Sequence, residues 1–214
     1  MKTMKKIVIV LFVTFLSIQV NAQISLGGQA SFIHLFGKTG INTFGIGVKG
    51  DYAKSEKIVI TAGFNYFIPS TYSDYTYGNS FSSMTSPSQI DVDVDYKVSL
   101  YHVFVGGKYY LVNDCEDDFG LYGIAEAGLM MGAVTTTLGD FNDNLYYTSM
   151  DDGAKESLSN FTLDIGIGGE FDLDFGYLFA DLKLLLPVNT VDGQTVEVEI
   201  PASVSLSVGV RIPL

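Results

Sequence analysis

"ASVSLSVGVRIPL", residues 202–214, alternates without a break. Val204, Leu206, Val208, Val210, Ile212 and Leu214 fall on one phase. Ser203, Ser205, Ser207, Gly209, Arg211 and Pro213 fall on the other. Successive side chains of a β-strand point to opposite faces, so a period of two predicts a strand with one apolar and one polar face. The fold turns on which face looks inward. A soluble barrel encloses its apolar face; a membrane barrel turns that face to lipid.

The same alternation recurs towards the N-terminus. It marks eight segments: 24–36, 41–53, 58–68, 91–112, 119–137, 161–173, 176–186 and 198–212. In the sixth, Phe161, Leu163, Ile165, Ile167, Phe171 and Leu173 oppose Thr162, Asp164, Gly166, Gly168, Glu170 and Asp172. The fourth slips phase, from Val92, Val94, Tyr96 and Val98 to Tyr101, Val103, Val105 and Tyr109, which predicts a β-bulge near residues 99–101. The connections are short at "KSEK" (54–57), "NDCEDD" (113–118) and "DF" (174–175), and long at 69–89, 138–160 and 188–201. "GKTG" (37–40) is the one short connection on the long-loop side. Short turns on one rim and long loops on the other are the plan of an outer-membrane barrel, with both termini on the short-turn side.

Composition points the same way. The chain is 47% hydrophobic and 17% charged, against about 25% charge in an ordinary soluble chain. Its apolar residues are dispersed in alternation, which favours membrane strands over a membrane helix. The net charge of −12 argues against nucleic acid as a partner. Lys2, Lys5 and Lys6 precede the apolar run "IVIVLFVTFL" (7–16), and Val20 and Ala22 stand at −3 and −1 of a cleavage site. These read as a secretory signal over 1–22, leaving 23–214 as one domain. The apolar run falls well short of the roughly 20 residues needed to span a bilayer. The single cysteine, Cys115, reads as a thiol in a polar turn.

Three features direct the apolar face outward. Gly45, Gly47, Gly63, Gly128, Gly166, Gly168 and Gly209 all lie on the polar phase, where a crowded lumen favours small residues. Aromatic residues gather at the strand ends. Tyr52, Tyr109, Tyr110, Phe119, Tyr122, Phe171, Phe175 and Tyr177 lie towards the short-turn rim, and Phe32, Phe36, Phe44, Tyr66 and Phe161 towards the long-loop rim. Two such girdles are what membrane–water interfaces select. The soluble alternative is a secreted lipocalin-like barrel holding a hydrophobic ligand. Lipocalins carry a tryptophan near the first strand and a helix after the last, whereas this chain has no tryptophan and ends on a strand. The expected fold is therefore all-β: an eight-stranded antiparallel transmembrane up-and-down β-barrel behind a cleaved signal peptide.

The signal, the eight alternating segments and the terminal strand together resemble the small outer-membrane β-barrel family of Gram-negative bacteria. The plan is that of the OmpA membrane domain and OmpX, and of the "porin family" barrels of Bacteroidota. The resemblance implies a Gram-negative outer-membrane location, contact with outer-membrane lipid, delivery by the barrel-insertion machinery and a monomer. Such barrels often end in an aromatic residue, but here "RIPL" ends in Leu214.

Ten charged residues fall on the inward phase: Lys49, Asp51, Lys108, Glu126, Asp164, Glu170, Asp172, Asp181, Lys183 and Arg211. An eight-stranded barrel is just wide enough for side chains to fill it, so these charges must pair or be hydrated. Lys108 and Glu126 flank one turn, and Lys183 and Asp164 another. The expectation is an ionic ladder that plugs the lumen, with a narrow regulated channel as the alternative. Residues 70–89, rich in Tyr, Ser and Gly, and residues 138–160 are the segments expected to meet an extracellular ligand or surface partner. "DFNDN" (140–144) places oxygen ligands at Asp140, Asn142 and Asn144, with Asp151 in the twelfth position. Leu145 stands where a calcium loop needs Gly, and no Glu closes the motif. The two histidines, His34 and His102, have no serine and acid partner at strand spacing, so no catalytic, cofactor or metal site is expected.

Overall fold

The computed structural model describes residues 24–36, 40–115, 117–188 and 201–214. The expected signal (1–22) and the start of the last expected segment (198–200) lie outside these residues. Among the described residues the strands are β1 (Ile24–Leu35), β2 (Ile41–Ala53), β3 (Ile58–Ser80), β4 (Gln89–Val112), β5 (Phe119–Leu138), β6 (Tyr146–Tyr147), β7 (Lys155–Asp172), β8 (Tyr177–Val188) and β9 (Ser203–Pro213). All pairings are antiparallel, and every strand except β6 belongs to a ring closed between β1 and β9. The two-residue β6 caps the end of β3.

The register fixes the shape of the ring. Ser25 lies opposite Asp51, and the path continues through Thr61, Gly106, Glu126, Asp164, Leu185 and Ser203. It returns to β1 at Leu35, ten residues along from its start. A stagger of ten residues over eight strands corresponds to a strand tilt of about 40°. The interior then has room for side chains and little else.

In β9 the serines are buried, while Leu206, Val208 and Ile212 are exposed. Ile46 and Val48 on β2, Val103 and Val105 on β4, and Leu163, Ile165 and Ile167 on β7 also point outward and are exposed. So large a continuous apolar belt is incompatible with water and suited to a bilayer. The lipocalin-like alternative requires the opposite orientation.

Two expectations about the long strands are corrected. β4 contains no phase slip: Val92, Val94, Val98, Leu100, His102, Phe104, Lys108 and Tyr110 are all buried on one phase. The irregularity lies across the ladder in β3, between Phe67 and Ser70, where the register to Leu100 and Val98 shifts. What changes along β4 is the polarity of each face. In its first half the inward residues include Val92, Val94, Tyr96 and Val98 and the outward ones Asp91, Asp93, Asp95 and Lys97; in its second half the outward residues are mostly apolar. The strand leaves lipid and enters water, and the face able to bury hydrocarbon reverses.

Residues 70–89 are likewise no simple loop. β3 continues to Ser80 and β4 begins at Gln89, so a hairpin projects beyond the membrane and only 81–88 form its tip. At 3.3 Å per residue the 24 residues of β4 span about 80 Å, far beyond what crossing a bilayer requires. Segment 138–160 folds against this hairpin. The Gly139 N–H donates to the Asp93 carbonyl at 2.7 Å, Phe81 N–H to Leu145 at 3.0 Å, and Tyr146 Oη–H to Pro87 at 3.0 Å. The Asn142 side-chain oxygen accepts the Asn144 N–H at 3.1 Å, a turn role for a residue of the partial calcium motif. Cys115 is buried at the inner turn with Val59, Tyr110, Tyr122 and Ile124, its Sγ 3.7 Å from the Ser55 carbonyl oxygen.

Candidate functional site

The interior divides into two layers stacked along the barrel axis. Alternation carries each charged side chain of the inner layer into the lumen. Lys49 and Asp51 face in from β2, Lys108 from β4, Glu126 from β5, Asp164 and Glu170 from β7, Asp181 and Lys183 from β8, and Arg211 from β9; all nine are buried. Lys49 is ion-paired with Asp181, which also accepts the Tyr122 hydroxyl at 2.8 Å. Lys108 donates to Asp51 at 2.6 Å, and Lys183 to Glu126 at 2.8 Å. Arg211 reaches Glu170 at 2.5 Å, Ser25 at 2.9 Å and Asp51 at 3.7 Å. His102 Nε2 sits 3.2 Å from Asp164 and 3.3 Å from Thr162 Oγ1.

None of these ion pairs joins neighbouring strands. Lys49 and Asp181 lie on β2 and β8, Lys108 and Asp51 on β4 and β2, Lys183 and Glu126 on β8 and β5, and Arg211 and Glu170 on β9 and β7. Each is a strut across the lumen. This corrects the turn-flanking geometry expected from sequence, in which Lys108 faced Glu126 and Lys183 faced Asp164. The interior is narrow enough for a lysine to pass over its neighbour strand.

Asp172 also stands apart. It is only partly buried and accepts the Asp174 N–H at 2.8 Å in the β7–β8 turn, where Asp174 has φ +66°. It therefore shapes a tight turn and does not enter the lumen network.

Aromatic rings line the cations. The ring of Phe179 lies 4.6 Å from Lys49 Nζ, that of Tyr122 4.7 Å from Lys108 Nζ, that of Phe104 4.2 Å from Lys183 Nζ and that of Tyr177 4.3 Å from the Arg211 guanidinium. Each offers a desolvated cation partial compensation beyond its carboxylate. Tyr177, expected at the membrane interface, thus faces inward beneath Arg211. Tyr110 and Tyr122 also face inward, and the Tyr110 hydroxyl donates to Glu170 at 2.5 Å. The signal was present in the sequence, because all three tyrosines stand on the polar phase of their strands. Of the other expected interfacial aromatics, Tyr109, Phe119, Phe171 and Phe44 are exposed, and Tyr52, Phe32 and Tyr66 partly so. Phe32 packs on Phe44 at 5.2 Å and Tyr66 on Tyr101 at 5.3 Å.

The glycines make room for these large groups. A Cβ on Gly168 would lie 2.4 Å from both Asp181 and the Tyr122 ring, one on Gly63 2.4 Å from Phe104, and one on Gly128 2.3 Å from His102.

The outer layer is hydrocarbon. Ile33, Leu35, Phe67, Val98, Leu100, Met130, Val134, Leu158 and Leu185 form one buried cluster, with Ile41, Tyr72 and Tyr96 packed against it. On most strands the inward residue changes from polar to apolar at a similar level: Ser31 to Ile33, Asn65 to Phe67, His102 to Leu100, Lys183 to Leu185. Alternation within the expected loop regions is the signal that would have revealed this layer.

No family model matches this chain, and no curated protein matches it in sequence. Solved structures do. Neisserial surface protein A superposes with a TM-score of 0.56 at 15% identity, over 91% of this chain and 100% of that one. A major outer membrane protein from Thermus thermophilus gives 0.56 at 11% identity, over 91% and 100%. Closed ring, apolar belt and structural likeness agree: by fold the molecule is a small eight-stranded β-barrel of the outer-membrane type.

Proposed function

We propose that this protein is a closed outer-membrane barrel whose working surface is its folded extracellular hairpin, and that it is not a conduit for solutes. The stacking of two dissimilar layers in the lumen supports this reading. Four cations and five carboxylates meet across the inner half, with aromatic rings between them. The apolar cluster lies directly outside. A solute would have to part the ion pairs and then cross the hydrocarbon, each unfavourable for opposite reasons.

The barrel acts as an anchor, inserted by the barrel-assembly machinery after removal of residues 1–22. It stands in lipid as a monomer, with residues 70–89 and 138–160 meeting a surface partner. A narrow regulated channel is the rival reading, favoured by the charged inner layer alone. Single-channel recording of the refolded protein in planar bilayers tests the two. The expected trace is flat; a stable conductance, even a small one, would overturn the closed reading.

A further inference from the structure

Above the membrane β3 is paired on one side only. β2 accompanies it as far as Gly45 opposite Phe67, and pairing on that side resumes only at Asn79, opposite Tyr147. From Ser70 to Asn79 the other side is laddered continuously to β4. Among the described residues, Ser70–Gly78 therefore presents an open strand edge of nine residues to the extracellular space. Such an edge is a ready template for another strand, and proteins usually blunt it. Here Pro69 blunts only its base.

The face beside that edge has a definite chemistry. Tyr75 and Tyr77 are 58% and 50% exposed and lie opposite Asp93 and Asp91 on β4, with Asp95 next in the same row opposite Ser73. A strand added to β3 would run beside the tyrosines, with the aspartates one strand further in. A lysine or arginine on the added strand would cross a tyrosine ring to reach a carboxylate. The opposite face of the hairpin is closed, since Val92 and Val94 are buried there. Pairing of the edge with a second copy about its centre would set Asp74 against Asp74, which repels.

We propose that the Ser70–Gly78 edge takes up an extended segment of another protein as an added β-strand, with basic residues at alternate positions. Backbone hydrogen bonds supply the pairing, while Tyr75, Tyr77 and the Asp91–Asp93–Asp95 row select for positive charge. This inference rests on the hairpin being the working surface.

The experiment uses the full chain in nanodiscs and two capped decapeptides, one alternating Thr and Lys, the other Thr and Glu. The Lys peptide should bind and slow amide exchange across residues 70–78, and the Glu peptide should do neither. Combining Asp91→Asn, Asp93→Asn and Asp95→Asn should weaken binding about tenfold or more at low salt, while the folded barrel's gel mobility stays unchanged. Equal binding of both peptides, binding without protection of 70–78, or cross-linking of this edge to a second copy would overturn the proposal. Conductance measured on the same preparation reports on the closed-barrel reading independently, so either can fail alone.

Discussion

Inward of Phe67 and Leu100 the barrel is filled by paired charge; outward of them it is filled by hydrocarbon. The two regions share strands, register and curvature, and differ in what surrounds the barrel. In lipid the outer face must be apolar, and burying an apolar side chain inside gains little over leaving it against acyl chains. The interior is then open to polar groups, provided they are satisfied. In water the ordinary hydrophobic effect applies and the inward face becomes a core. From Val92 to Tyr110, β4 carries both arrangements on one phase.

The largest way to break this comparison is to remove one member of the charged layer. Arg211→Ala leaves Glu170 and its neighbours without a counter-charge and should cost about 3–5 kcal/mol, read as a lower urea midpoint in detergent micelles. Replacing Lys49 and Asp181 together by Met and Leu should cost far less, because no charge is then left unpaired. An equal loss in both variants would mean that the layer acts by filling space alone. Leu100→Ala in the apolar layer should cost about 3 kcal/mol through an unfilled cavity. Its effect should appear first as faster amide exchange in the extracellular hairpin.

A finer contrast uses glycine. Gly168→Ala forces a methyl group against Asp181 and Tyr122 and should cost about 2 kcal/mol. Gly123, on the outward phase, has nothing within 4 Å of an added Cβ, so Gly123→Ala should be neutral or stabilising by about 0.5 kcal/mol. The smallest effect concerns pH. Tyr72 and Tyr96 stack at 4.9 Å above the membrane, and burial raises both hydroxyls above the ordinary tyrosine range. The folded hairpin therefore favours the neutral phenols. This contribution is complete below the unfolded tyrosine value and is lost as pH rises through the raised folded values. Ultraviolet titration should show these two ionising above the ordinary tyrosine range, with exchange in the hairpin quickening alongside.

Alternation made the barrel legible in sequence, because lipid imposes an apolar phase on every spanning strand. It also placed nine of the ten expected lumen charges correctly on the inward phase. Their partners were not legible: Lys108 finds Asp51 and Lys183 finds Glu126 across intervening strands, a relation set by ring curvature and stagger. Tyr177 was misplaced because nearness to a strand end outweighed its phase, and Asp172 because its inward phase ends at the β7–β8 turn. Phase identifies Tyr177, and the turn identifies Asp172. The reversal in β4 looked like a slipped strand because an apolar residue was assumed to face one way throughout.

The struts across the lumen have a consequence for how such a chain is made. Arg211 lies on the last strand and reaches back to Ser25 on β1, Asp51 on β2 and Glu170 on β7. Until β9 meets β1, Asp181 on β8 lacks Lys49 of β2, and the sheet carries unbalanced charge into an apolar medium. Closing the seam and neutralising the interior are therefore a single event. An open sheet is thereby penalised in the membrane, and the pairs that span the seam, Lys49 with Asp181 and Arg211 with Asp51, favour completion.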